Sequence, residues 1–167
     1  MRLLITYIAM GFLTALFGCS KRQTPAVPSS EPPPLTINED DPEMLAAIRE
    51  ARQRLPEFKA LIAVPQDGVT VRVPLLSHGK QHYHDGTLVG RKGEKLEVEI
   101  TVDDNTPAMR RTYDMSEIRD WTVLQKGRRI GGFTTRVMLK KAKREWGTLP
   151  PDLQALERSF SDEPTVK

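Results

Sequence analysis

Apolar residues change their spacing along this chain, and each change predicts a different element. Over residues 3–17 they run nearly unbroken behind a single positive residue, Arg2. Further on, Met44, Ile48, Ala51 and Leu55 recur at intervals of four, three and four, which lays one stripe along a helix. Asp41 is placed to cap that helix, Pro42 suits its first position, and Glu43 complements the positive end of its dipole. Pro56 is expected to end it, with residues 57–62 continuing as a shorter helix. From Gly68 the period becomes two. Val69, Val71 and Val73 alternate with Thr70 and Arg72, and Pro74 predicts that this strand ends there or lies at an edge.

Residues 81–89 and 95–102 read as two more strands around a turn at 90–93. In the second of them Leu96, Val98, Ile100 and Val102 oppose Lys95, Glu97, Glu99 and Thr101. A turn at 103–105 leads to a strand over 108–114, one helical turn at 116–118, and a strand over 121–124. Residues 126–129 read as a hairpin tip. A final strand is expected over 132–139, with Phe133, Thr135, Val137 and Leu139 on one face. Pro151 and Asp152 then open a helix in which Leu153, Leu156 and Phe160 share a side. The expected class is α+β: an N-terminal amphipathic helix on a small, mainly antiparallel sheet, with a short C-terminal helix. The same strands admit closure into an SH3-like barrel.

The first apolar run is fifteen residues long, against the ~20 that a transmembrane helix needs. That is the length of a signal-peptide core. It closes on Leu16-Phe17-Gly18-Cys19, which places the chain's one cysteine directly after a small residue. The segment resembles the lipobox of bacterial lipoprotein signal peptides. The resemblance implies cleavage before Cys19, acylation of its thiol and new amine with chains such as palmitate, and attachment to a bilayer. Ser20 resembles the outer-membrane sorting residue, which would leave the protein facing the periplasm in a diderm cell. Residues 1–18 are then the signal peptide and 19–40 a Pro-rich tether, stiffened by Pro25, Pro28 and Pro32-Pro33-Pro34. Residues 41–146 form the expected α+β domain, and 147–167 a C-terminal helix and tail.

Composition narrows the function classes. Basic and acidic residues number 25 and 22, and aromatics make up 6%. Near-neutral charge and few stacking rings argue against a nucleic-acid partner. With the single cysteine consumed by lipid, the fold must be held by its core and not by disulfides.

A second resemblance lies in Ile118-Arg119-Asp120-Trp121 followed by Gly127-Arg128-Arg129-Ile130-Gly131-Gly132-Phe133-Thr134-Thr135-Arg136-Val137. Together with Ala51-Arg52 and Leu55-Pro56-Glu57-Phe58, this is similar to the YegJ-like bacterial domains of unknown function. The resemblance implies one domain and a structural role for Asp120, Trp121, Gly131 and Gly132. It supplies no reaction. The middle of the chain departs from it: His82-Tyr83-His84 stands where a histidine followed closely by tryptophan is expected.

All three histidines, His78, His82 and His84, fall within seven residues. On a strand, His82 and His84 share a face, with Tyr83 and Asp85 opposite. Two imidazoles at that spacing can share a zinc or copper ion, with His78 as a third ligand. Ser77 and His78 are adjacent, so their side chains diverge and form no nucleophile–base pair. No Gly-x-Ser-x-Gly or phosphate-cradling glycine loop occurs. A further feature is basic: eight Lys and Arg residues and no acid between Lys126 and Arg144. The block Lys140, Lys141, Lys143 and Arg144 suits an anionic surface, a strand edge protected by lysine, or the acidic segment around Asp41 and Glu43. The expectation is a lipid-anchored envelope protein, not an enzyme and without a cofactor, that binds an envelope protein or an anionic polymer. A histidine metal module and an envelope inhibitor or immunity-type protein are the alternatives.

Overall fold

The computed structural model describes residues 38, 40–77, 79–102 and 106–160, with the backbone alone at Ser77. The segment expected as a signal peptide, nearly all of the expected tether, Cys19 and His78 lie outside the described residues. The helices are α1 (Pro42–Gln53), α2 (Leu55–Leu61), α3 (Phe133–Trp146) and α4 (Pro151–Ser159). The strands are β1 (Val69–Ser77), β2 (Lys80–Lys92), β3 (Lys95–Ile100), β4 (Met109–Asp114), β5 (Asp120–Gln125) and β6 (Arg128–Gly131). They form one antiparallel sheet in the order β4-β3-β2-β1-β5-β6. The class is α+β and the sheet is open.

The alternation in sequence becomes two faces of this sheet. Val69, Val71, Val73, Leu96, Val98, Ile100, Trp121, Val123 and Ile130 are buried in one cluster with Ala47 and Ala51 of α1, Phe58 of α2, and Phe133. Trp121 is its centre. Its ring stacks on Phe58 at 5.2 Å and meets Phe133 edge-on at 5.5 Å, and its Nε1–H donates to the Ala51 carbonyl at 3.0 Å. Such ring pairs add ~0.5–1.5 kcal/mol each beyond the area they bury. A second, smaller cluster joins Leu139 and Ala142 of α3 to Leu149, with Leu153, Leu156 and Phe160 packed against it.

Several expectations are corrected here. The sheet does not close, so no SH3-like barrel forms. The expected last strand over 132–139 is instead the start of α3, a helix of fourteen residues. The β-branched residues Thr134, Thr135 and Val137 mimic a strand period, but Asp120 binds the free amides at this point and imposes a helix start. Pro56 does not end the first helix; it stands in the first turn of α2, where its missing N–H has no intrahelical role. Pro74 lies inside β1, an interior strand. Because β5 pairs with β1 only over Val69–Arg72, Pro74 has β2 alone as its ladder neighbour, and there a residue without N–H is tolerated. The expected tip at 126–129 is shorter: Lys126 and Gly127 both take positive φ, while Arg128 and Arg129 already belong to β6.

Candidate functional site

The sheet face opposite the Trp121 cluster carries polar residues in register. Thr87, Thr70, Thr122 and Gly131 stand in one row across β2, β1, β5 and β6. Asp85, Arg72 and Asp120 stand in the next. Alternation puts them all on one side, and pairing sets the rows.

Arg72 grips Asp85 bidentately, Nε to Oδ1 at 2.8 Å and Nη2 to Oδ2 at 2.9 Å. Its Nη1 donates to the Thr134 hydroxyl at 3.1 Å. Asp120 is buried. Its Oδ1 accepts from the backbone N–H of Trp121 at 2.8 Å and of Phe133 at 3.1 Å. Its Oδ2 accepts from the N–H of Thr134 at 2.7 Å and from the Thr134 hydroxyl. Burial pushes the carboxyl above its ordinary range, while the Thr134 hydroxyl and amide, the Trp121 amide and the Arg72 charge pull the other way. The carboxylate is therefore a remote N-cap of α3.

The four signature residues meet at this corner. Gly131 and Gly132 have φ of 87° and 66°. A Cβ on Gly131 would lie 2.2 Å from the Trp121 carbonyl oxygen, and one on Gly132 would lie 2.4 Å from the Phe160 ring. Asp120, Trp121, Gly131 and Gly132 thus turn the chain from β6 into α3 over the tryptophan.

A cleft of about 260 Å³ opens beside the corner. Thr70, Arg72, Asp85, Asp120, Thr122 and Arg129 line it from the sheet, Thr135 from α3, Leu156 from α4, and Phe160 from just after α4. Sequence reasoning passed over Arg72, Thr70, Thr122 and Arg129 as lining residues. Their polar, alternating positions were visible, but their convergence depends on strand order.

His82 and His84 pair with Leu75 and Val73, so both stand on the core side of the sheet. They line a separate open groove with Leu76, Val102, Met109 and Arg111. Tyr83 and Asp85 are on the opposite face, Tyr83 beneath the Arg119 guanidinium at 3.7 Å and Asp85 on Arg72. Among the described residues no three His, Cys, Asp or Glu side chains gather as metal ligands.

The basic block lies on α3, so it protects no strand edge. Lys141 pairs with Asp41, Arg144 binds Glu43 through two bonds of 2.9 and 2.8 Å, and Lys143 reaches Glu157 at 3.2 Å. Lys140 is exposed. Lys141 and Arg144 therefore tie α3 to the acidic segment at the start of α1, and Lys143 ties it to α4.

No family model, curated protein or solved structure matches the chain.

Proposed function

We propose that this chain is a lipid-anchored cell-envelope protein whose α+β domain is a non-catalytic binding module, with the cleft between the polar sheet face and the α3–α4 pair as its binding surface. The anchor reading rests on Leu16-Phe17-Gly18-Cys19 and the Pro-rich segment that separates Cys19 from α1. One observation carries the binding reading. The buried acid Asp120, the natural candidate for acid–base work, has both oxygens engaged in holding the start of α3. A carboxylate in that position serves the fold and not a proton transfer. The partners are the bilayer, through acylated Cys19, and an envelope protein or anionic polymer. In a diderm cell the location is the outer membrane, facing the periplasm. The likeness to the YegJ-like domains adds a structural role for the Asp120–Gly132 corner and no chemistry.

Mass spectrometry of the membrane fraction tests the anchor. A diacylglyceryl, N-acylated Cys19 terminus is expected, and an intact unmodified terminus on a soluble cytosolic species would end the reading. Crosslinking in whole cells followed by pull-down tests the binding module, with one dominant envelope component expected.

A second reading is favoured by one observation: His82 and His84 share a face and line the same groove. A zinc or copper site there would use both imidazoles, with His78 as the further ligand. Elemental analysis of the purified full chain decides it, since stoichiometric zinc or copper lost in His82→Ala/His84→Ala is the result this reading requires.

A further inference from the structure

We propose that the cleft beside the Asp120 corner binds a phosphate-type oxyanion, with Arg129 as the charged anchor and the hydroxyls of Thr70, Thr122 and Thr135 as neutral donors. The inference deepens the binding-module reading and rests on it for the choice of surface.

The argument is one of which groups are already engaged. Two acids line the cleft, and both are occupied. Asp85 has each oxygen on the Arg72 guanidinium. Asp120 has each oxygen on backbone N–H groups and the Thr134 hydroxyl. The cation on the opposite wall is in a different state. Arg129 lines the cleft from β6, half-buried, with its backbone bridged to Phe160, and its guanidinium has no side-chain partner among the described residues. No carboxylate among the described residues meets this half-buried cation, and such a cation favours an incoming anion.

Register explains why the donors converge. Thr70 and Thr122 are direct cross-strand partners on β1 and β5, and Thr122 faces Gly131 on β6. Arg129 is two residues from Gly131, hence on the same face and diagonal to Thr122. Gly132, where a Cβ would come within 3.1 Å of the Thr122 hydroxyl oxygen, keeps that side of Thr122 open. Thr135 closes the cleft from the first turn of α3. Two threonines on the sheet floor and a third on the helix wall therefore line the same space, each with a hydroxyl able to donate one hydrogen bond. A tetrahedral oxyanion has acceptors to meet floor and wall together, whereas those of a planar carboxylate lie in one plane. The guanidinium fork matches two of its oxygens. Size agrees: drug-sized ligands need ~300–1,000 Å³, so a cleft of about 260 Å³ suits a small anion or the phosphate end of a larger molecule.

Titration of the full chain in detergent with inorganic phosphate, at fixed ionic strength, tests this by NMR of the Arg129 Nε–H. A saturable shift is expected. Arg129→Ala should weaken binding by about tenfold or more, and Arg129→Lys less, because lysine keeps the charge and loses the fork. Thr135→Val, on a different element, should weaken it several-fold and keeps the test alive if the Arg129→Ala protein does not fold. A parallel arm uses phosphatidylglycerol vesicles and the same variants. Binding of free phosphate identifies a soluble ligand; binding of vesicles alone, lost in Arg129→Ala, identifies a headgroup. The proposal is overturned if neither probe gives a saturable response, if chloride at matched concentration gives the same shift, or if the variants bind as tightly as the parent. Loss of the Cys19 lipid with phosphate binding intact would sink the envelope reading and leave this site standing.

Discussion

The carboxylate of Asp120 takes the backbone N–H of Thr134 at 2.7 Å although the two residues are fourteen positions apart. An N-cap is normally the residue directly before the helix. At α3 that position is Gly132, which has no side chain to offer. Strand pairing brings Asp120 to the same place across the β5–β6 hairpin, where it serves the amides of Phe133 and Thr134 together.

Asp120→Ala should therefore cost more than loss of an ordinary cap. A surface cap contributes ~0.5–2 kcal/mol, and buried donors left without an acceptor cost ~1–3 kcal/mol. A loss of about 2–4 kcal/mol in urea unfolding is expected, with α3 amides exchanging faster than those of β3. An unchanged midpoint would remove Asp120 from the corner.

The same residue sets a pH dependence of known sign. Burial raises the Asp120 pKa above its ordinary 3.8, so its contribution to stability is full below that value and declines as pH rises through the folded one. Asp120→Asn lacks that titration. The stability gap between the parent and Asp120→Asn should be widest in acid and narrow on the way to neutrality. Denaturation midpoints of both proteins across that range check it.

Asp41 and Glu43 act with the opposite sign. The hydrogen bond from Lys141 holds Asp41 below its ordinary 3.8, and that from Arg144 holds Glu43 below 4.5. Their contribution is present above those values and is lost as pH falls through the lower folded ones. Lys141→Met and Arg144→Met should lower stability at neutral pH, where the pairs contribute, and flatten the acid limb, with the gap to the parent closing as pH falls. Salt should act in the same direction, more on the exposed Arg144–Glu43 pair than on the part-buried Lys141–Asp41 pair.

Gly131→Ala tests the turn itself. The φ of 87° is strained for a residue with a Cβ, and that Cβ would sit 2.2 Å from the Trp121 carbonyl oxygen. Strain of ~1–3 kcal/mol joined to overpacking of a similar size predicts a loss of about 3 kcal/mol or more. Gly93→Ala is the control: its φ is 62°, but its Cβ would meet no atom within 4 Å, so only the strain remains. Thermal unfolding should separate the two variants by many degrees.

Trp121→Phe should lose the Nε1–H bond to Ala51 and leave a void between Phe58 and Phe133. About 2–3 kcal/mol is expected from the hydrogen bond and the missing ring volume together. Near-ultraviolet circular dichroism should lose its tryptophan band if the stacked trio is the source.

Much of the sheet was legible because its period is local. Val69-Thr70-Val71-Arg72-Val73 and the run from Lys95 to Ile100 each declare a buried and a polar face within a few residues. The face shared by His82 and His84 followed from the same rule. The stretch after Gly132 misled that rule. Thr134, Thr135 and Val137 suit a strand by propensity, and what overrides them is a carboxylate delivered from another element.

Residue order by itself determined the apolar run ending at Cys19, the Pro-rich segment after it, the two-faced strands, and the helix start at Asp41-Pro42-Glu43, since each depends on neighbours within one or two turns of chain. Tertiary structure alone decided that β1 lies between β2 and β5, that Arg72 stands between Asp85 and Asp120, and that Arg129 shares a cleft with Thr70. Those relations join residues tens of positions apart. Backbone hydrogen bonds between strands and burial of Trp121 create them, and no local period encodes which strand will be the neighbour.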